Sequence, residues 1–199
     1  MPRKKTLFKL SPPSHQQTPK MSTLFALTLI LLSIYAILTK AEFSEQSLEL
    51  QSAHRADKVS HLHFYFHDVV SGKDPTAIVV AGKRNAFGMT TIIDDPLTEG
   101  PEPESRAVGR AQGVYTQSTK EGAALHMAMT FVFKEGKYNG SSISILGNNQ
   151  YLEAVRELPV VGGTGAFRFA RGYALAKTKK FVVRTGDAVV EYNVFVMHH

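Results

Sequence analysis

From residue 61 onward the chain alternates apolar and polar side chains at every second position, the period of extended strands. In His61-Leu-His-Phe-Tyr-Phe-His-Asp68, one strand face carries Leu62, Phe64, Phe66 and Asp68 and the other His61, His63, Tyr65 and His67. Ala124 to Lys134 repeats the pattern, with Leu125, Met127, Met129, Phe131 and Phe133 on one face. Further extended segments are expected at Thr76–Ala81, Phe87–Ile93, Val108–Gln117, Ser142–Leu146, Phe167–Lys177 and Ala188–Met197. Asp94-Asp95-Pro96 reads as a break, and Leu97–Arg106, with two prolines and four charges, as the longest loop. No sustained helical period occurs after residue 60. Seven or eight strands at about 10-residue spacing with Gly-rich turns predict an all-β fold. An eight-stranded antiparallel β-barrel is favoured because closure removes exposed edges and leaves room for one small ligand. A β-sandwich is the competing architecture.

The first 41 residues follow a different pattern. Arg3, Lys4, Lys5, Lys9 and Lys20 stand among prolines 2, 12, 13 and 19 with no acidic residue, and Leu24 to Leu38 is a 15-residue apolar run before Thr39-Lys40-Ala41. A basic flank, a short apolar core and small residues predict a secretory signal cut after Ala41, preceded by a Pro-containing extension. Met21 is an alternative start. The run is short for a spanning helix, which needs about 20 residues, yet an uncleaved signal-anchor is the alternative. Residues 42–60 are polar, lack an apolar stripe and read as a flexible leader to a domain at 61–199.

This division changes the meaning of the charge. The whole chain carries +6, but six of its 23 basic residues precede the expected cut, leaving 17 against 17 acidic ones. The folded domain is near neutral, which removes the support for a nucleic-acid partner. The chain has no cysteine, so its core alone must hold it. Asn139-Gly140-Ser141 is an N-glycosylation acceptor, consistent with export.

Several candidate chemistries are weak. His61, His63 and His67 share the polar strand face and read as a solvated surface rather than a metal site; His198-His199 reads as a frayed end. Val160-Val-Gly-Gly-Thr-Gly-Ala-Phe-Arg168 imitates a dinucleotide motif, but Arg168 stands where the third glycine belongs and strand-like sequence follows. Those glycines are expected in turns or bulges. There is no Gly-x-Ser-x-Gly elbow. Asp68 is the strongest candidate, because a carboxylate ending an apolar row must be paired or used if it points inward. Two readings stand side by side: an interior acid, or a cap on the turn Val69-Val70-Ser71-Gly72. Arg156 likewise reads either as a surface residue or as an inward cation that pairs with Asp68 or holds a ligand oxygen.

Six blocks occur in order: Phe64-Tyr-Phe-His-Asp68; Asp95-Pro-Leu-Thr-Glu-Gly-Pro101; Val108-Gly-Arg-Ala-Gln-Gly-Val-Tyr115; Gly140-Ser-Ser142 with Gly147-Asn-Asn149; Arg156-Glu-Leu-Pro-Val-Val-Gly-Gly-Thr-Gly165 running on to Phe167-Arg-Phe-Ala-Arg-Gly-Tyr173; and Gly186-Asp-Ala-Val-Val-Glu-Tyr-Asn193. Across about residues 61–198 they resemble the plant dirigent protein family. The resemblance implies an eight-stranded barrel of the calycin or allene oxide cyclase kind, secreted to the apoplast and assembled as a homo-oligomer, a trimer or a dimer. It implies no cofactor, metal or oxidising centre. A separate laccase or peroxidase would make phenoxyl radicals from coniferyl alcohol or related phenols, and the barrel would direct their coupling in lignan or phenylpropanoid biosynthesis. Related members close or dehydrate quinone methides instead, so a lyase- or cyclase-type action is an alternative, as is a phenolic-binding barrel in cell-wall defence. By the same resemblance Asp68 matches a pocket carboxylate and Arg156 a pocket arginine, with Phe64 and Phe66 among the lining side chains. A second pocket acid of some lignan-forming members falls at Asn149, which hydrogen-bonds but cannot transfer a proton as a carboxylate does.

Overall fold

The computed structural model describes residues 25–32 and 58–199. Residues 25–32 form a helix with every side chain exposed, and no helix among the described residues is long and apolar enough to cross a membrane. The start at Met21, the cut after Ala41 and most of the leader lie outside the described residues.

Nine strands follow: β1 Lys58–Asp68, β2 Ala77–Ala81, β3 Thr90–Thr98, β4 Ala107–Gln117, β5 Leu125–Phe133, β6 Ser142–Asn149, β7 Arg156–Thr164, β8 Arg171–Phe181 and β9 Ala188–His198. Eight of them form a closed antiparallel ring in the order β1-β9-β8-β7-β6-β5-β4-β3, sealed where β3 returns to β1 through Tyr65↔Thr98 and Phe66↔Leu97. The barrel expectation holds and the sandwich is excluded. The extra strand, β2, takes over the same edge of β3 beyond the end of β1, pairing Ala77↔Ile93 and Ile78↔Ile92. The domain also begins earlier than expected, since Lys58, Val59 and Ser60 already pair with His198, Met197 and Val196.

Two sequence expectations fail for backbone reasons. Asp94-Asp95-Pro96 is no break but the middle of β3, in register with Gln112, Ala111 and Arg110 of β4. Asp94 donates its amide to Thr76 O, on the side away from β4. Two residues on, the Pro96 nitrogen faces that same side, in the gap between β1 and β2, where no ladder bond is lost. The second failure is β7, whose proline, glycines and mixed polarity hide a strand that runs from Arg156 to Thr164. The bulge expected near these glycines is present as a register shift against β6 between Ser144 and Ile145. Gly163 is obligatory here, because a Cβ would stand 2.7 Å from the Cβ of Phe167. Phe167 itself lies in a 3₁₀ turn, and β8 starts four residues later.

The barrel is filled at one end only. Phe64 meets Phe131 edge-on at 5.0 Å and lies 6.0 Å from both Phe133 and Tyr192, while Phe131 meets Tyr192 at 5.2 Å. With Ile143, Leu158, Phe167, Val194 and Val196, all fully buried, these rings form a solid plug. At the opposite end the inward residues shorten or turn polar, and the interior opens. His198, expected to fray, is buried beneath the plug, 2.9 Å from Ser60 Oγ and with its ring 5.0 Å from Phe167.

Because Phe64 belongs to the plug, Phe64→Ala is expected to cost about 3–5 kcal/mol of folding stability. Urea unfolding of the variant checks this.

Candidate functional site

The open end is a cavity of about 410 Å3. Its walls are the cavity-end residues of alternate positions: Phe66 and Asp68 from β1, Thr91 from β3, Tyr115 from β4, Met127 from β5 and Val190 from β9. Asn149, closing β6, and Arg156, opening β7, add the polar part of the wall, and Arg84 with Tyr151 lies at the loops around it. Strand parity thus carries Phe66 and Asp68 into the cavity as expected. Phe64, expected to line it, sits two residues deeper and does not.

Asp68 is the interior acid rather than the turn cap. The turn after β1 is capped by Asp187, whose Oδ1 accepts the amides of Val70 and Ser71 at 2.9 and 3.1 Å and whose Oδ2 accepts the Ser71 hydroxyl at 2.6 Å. Although its own burial opposes them, these bonds and the Thr185 hydroxyl hold the Asp187 carboxyl below the usual range. Asp68 is left free to face the cavity, where the Tyr115 phenol donates to its Oδ1 at 3.4 Å. Burial pushes the Asp68 carboxyl up to about 7 against the opposing pull of that hydrogen bond, and nearby Asp187 adds to the rise. The Tyr115 phenol is pushed up by burial and by the neighbouring Asp68, so it stays a proton donor.

Arg156 is also inward, only 4% exposed. Its Nε donates to Asn149 Oδ1 at 3.1 Å. Among the described residues it forms no ion pair with a carboxylate, and burial lowers its affinity for its proton. Asn149 spends its oxygen on Arg156, which leaves its amide N–H groups for the cavity. The wall therefore presents a positive charge and donors three strands round the ring from Asp68, since β9 and β8 separate β1 from β7.

Some of the surroundings were not read from sequence. Asp95 follows Thr91 and Ile93 on the inward face of β3 and is completely buried; the parity signal was there, but the following proline masked it. Burial and the neighbouring Asp68 push its carboxyl up to about 8. Tyr115 and Tyr192 also line the cavity. The histidine row divides. His61 accompanies Asn193 at 2.8 Å and His63 accompanies Glu191 at 3.0 Å on the outer surface. His67, expected on a solvated face, is buried, with Nε2 2.6 Å from Thr98 Oγ1. The Thr98 hydroxyl donates to Gly100 O, so it accepts from His67. Burial holds His67 below its ordinary value, against the opposing charges of Glu102 and Glu104. Among the described residues no three His, Asp or Glu side chains group as metal ligands. Asn139 is exposed just after the 3₁₀ turn Gly136–Tyr138.

Residues 59–197 match the model of the Dirigent-like protein family. The chain belongs to the dirigent family. Dirigent protein 1 of Arabidopsis thaliana is 48% identical over 184 residues, 89% of this chain and 100% of that protein. Pterocarpan synthase 1 of Glycyrrhiza echinata is 46% identical over 185 residues, 89% of this chain and 98% of that protein. A solved pterocarpan synthase dirigent protein is 48% identical and superposes with a TM-score of 0.72 over 80% of this chain and 99% of its own. These dirigent proteins match almost along their entire length, so the barrel and both cavity walls fall within the aligned region.

The two raised carboxyls make a pH prediction. A carboxyl raised above its ordinary 3.8 contributes stability that is fully present below that value and lost as pH rises through the folded value, here about 7 and about 8. His67, depressed from 6.5, acts in the opposite sense. Comparison with Asp68→Asn cancels the histidine, so the variant's Tm is expected to gain on wild type between about pH 5 and about pH 8. Thermal melts of both proteins across that range check it.

Proposed function

We propose that this barrel catalyses an acid-assisted dehydrative ring closure of a phenolic benzylic alcohol through a quinone methide, the lyase- or cyclase-type branch of dirigent chemistry. The observation that carries the reading is the pairing of an inward Asp68, whose carboxyl burial pushes up to about 7, on one wall with an Arg156 that has no carboxylate partner among the described residues, beside Asn149 rather than a second acid, on another. The substrate class is an isoflavanol-type or related phenylpropanoid alcohol, in keeping with relatives named pterocarpan synthase.

In the first step Asp68 gives its proton to the benzylic hydroxyl, the C–O bond breaks and water leaves. Electrons flow in from the ring phenol, whose proton passes to solvent, and the neutral quinone methide forms. A second phenol hydroxyl of the same molecule then attacks the exocyclic carbon. Asp68 takes the attacking proton back as general base, and the ring oxygen regains a proton from solvent. The net change is loss of one water. Arg156 and the Asn149 amide hold the ring oxygen on which negative charge gathers, a task worth most in a desolvated site. Phe66, Met127 and Val190 orient the rings so that one face is attacked.

The second reading is stereoselective coupling of phenoxyl radicals supplied by a laccase or peroxidase. The apolar wall favours it, because holding two phenols by their oxygens requires only the Arg156 side and the aromatic lining. In either case we propose export to the cell-wall space, resting on the basic flank and apolar run at the N-terminus, and a homo-oligomeric state, resting on family resemblance.

The test is incubation of the purified protein with an isoflavanol-type alcohol and no oxidase, followed by chiral chromatography. Enantiomerically enriched cyclic product is expected, and Asp68→Asn is expected to lower kcat by about 100-fold or more. No turnover alone, but chiral coupling of coniferyl alcohol once an oxidase is added, would replace this reading with the second.

A further inference from the structure

Asp68 stands directly before a turn, a place from which an aspartate ordinarily accepts the turn's own backbone amides two and three positions on. Those amides belong to Val70 and Ser71, and both are taken instead by Oδ1 of Asp187, at 2.9 and 3.1 Å. Oδ2 of the same carboxylate accepts the Ser71 hydroxyl at 2.6 Å and the Thr185 hydroxyl at 2.7 Å. Asp187 is in turn fixed by its own hairpin: its amide donates to Thr185 Oγ1 and its carbonyl accepts the Val182 amide at 2.9 Å. It immediately precedes Ala188, the residue paired with Asp68, so the clamp sits beside the acid whose place it takes. Capping the turn needs one acceptor, and Asp68 is the nearer one along the chain.

We propose that Asp187 is a positioning residue that holds Asp68 in the cavity by occupying the turn amides that Asp68 would otherwise accept. Without Asp187 the amides of Val70 and Ser71 are left bare beside an aspartate, and rotation of the Asp68 side chain satisfies them. The acid then becomes a turn cap and leaves the cavity wall, while the strand that carries it stays in place. The inference rests on the dehydrative reading for its purpose, since a reaction that needs the acid makes its direction matter. The competition for the amides stands without that reading.

The other groups around Asp68 hold it inward less firmly. The Tyr115 phenol of β4 donates a single bond at 3.4 Å, long for an O–H donor. Asp95 of β3 and Tyr192 of β9 interact with it through charge. Burial and the charge on Asp187 both disfavour its ionised form in the cavity, whereas two backbone amides in the turn would favour it.

The test is a carboxyl titration by carbon-13 NMR of the full chain without substrate, joined to kcat and KM for the isoflavanol-type alcohol. In Asp187→Ala the Asp68 titration is expected to fall from about 7 to the ordinary 3.8 or below. Its kcat is expected to fall about 100-fold, as in Asp68→Asn, with KM little changed. Asp187→Asn keeps an acceptor for both amides, so its Asp68 titration is expected to stay within about one pH unit of wild type, the effect of the lost charge alone. A purely structural role would lower Tm and activity without moving the Asp68 titration. The double variant Ser71→Ala with Thr185→Ala, which strips Oδ2 of its partners and loosens the clamp, serves where Asp187→Ala does not fold. It is expected to move the titration part of the way in the same direction. An Asp68 titration that stays near 7 in the folded variants overturns the proposal, and so does an equal fall in Asp187→Asn and Asp187→Ala, which would make the effect one of charge. A fallen titration in a protein that turns over no phenolic alcohol retires the dehydrative reading and leaves the competition for the amides standing.

Discussion

A buried carboxyl set beside the cavity's own acid is costly to ionise, and the open end of this barrel is built around that pair. The pair arises at a seam. β1 leaves β3 after Phe66 and Leu97, and β2 takes over the same edge only from Ala77. In the gap the chain needs backbone partners, which the turn Val70-Ser71 finds in Asp187 and β3 finds in Thr76 O. Since Asp187 holds the turn, Asp68 is not needed there and can face the cavity. Since Thr76 spends its hydroxyl on Asp95, the second acid is anchored beside the first. One interruption in strand pairing thus produces both the site's acid and a second buried carboxyl beside it, whose own proton affinity the first one raises.

That arrangement requires a barrel rigid enough to carry a chamber and polar groups in its wall. The aromatic plug supplies it. Phe64, Phe131, Phe133 and Tyr192 interlock at ring distances of 5.0 to 6.0 Å across β1, β5 and β9. Burying such large rings stabilises the fold by several kcal/mol each relative to truncation. The plug also gives the cavity a floor: Tyr192 packs against Phe64 below and lines the chamber above, and Phe66 meets Tyr192 at 6.0 Å. Filling one end of the interior concentrates the cohesion there and leaves the other end free to be polar.

How much of this could be read from the residues follows from what kind of signal each carried. Alternation marked β1 and β5 and placed Phe66 and Asp68 inward, because side-chain parity along a strand is fixed by geometry. Parity is silent on depth, and so Phe64 and Phe66 looked equivalent although one fills the plug and the other lines the chamber. Breaker residues misled. Pro96 lies in mid-strand with its nitrogen toward the seam, and that placement depends on where β1 ends, a long-range fact that local composition does not contain. It hid Asp95 as well. His67 looked solvated because its strand face looked polar, and the loop after Thr98 covers it; His198 looked frayed because of its position in the chain, and the 3₁₀ turn carrying Phe167 covers it. Arg156 and Asn149 stood seven positions apart in the chain, and the β6–β7 connection makes them direct partners.

The Arg156–Asn149 pair shows why a change of one atom type at that position alters the chemistry available. A carboxylate at 149 would neutralise the guanidinium and leave the wall without net charge, able to take part in a second proton transfer. The amide accepts the same hydrogen bond through Oδ1 but leaves the positive charge unspent and adds N–H donors beside it. An uncompensated buried cation costs free energy in the empty site, and a ligand oxygen that gains negative charge relieves that cost as it does so. The relief is largest where the charge is fullest, which is the phenolate-like oxygen on the way to a quinone methide rather than the neutral phenol or its radical. With Asp68 on the β1 side and the Arg156 guanidinium on the β7 side, those two walls of the chamber differ in polarity, and a substrate that loses a hydroxyl at one end while its phenol oxygen gathers charge at the other fits that difference better than two identical radicals would.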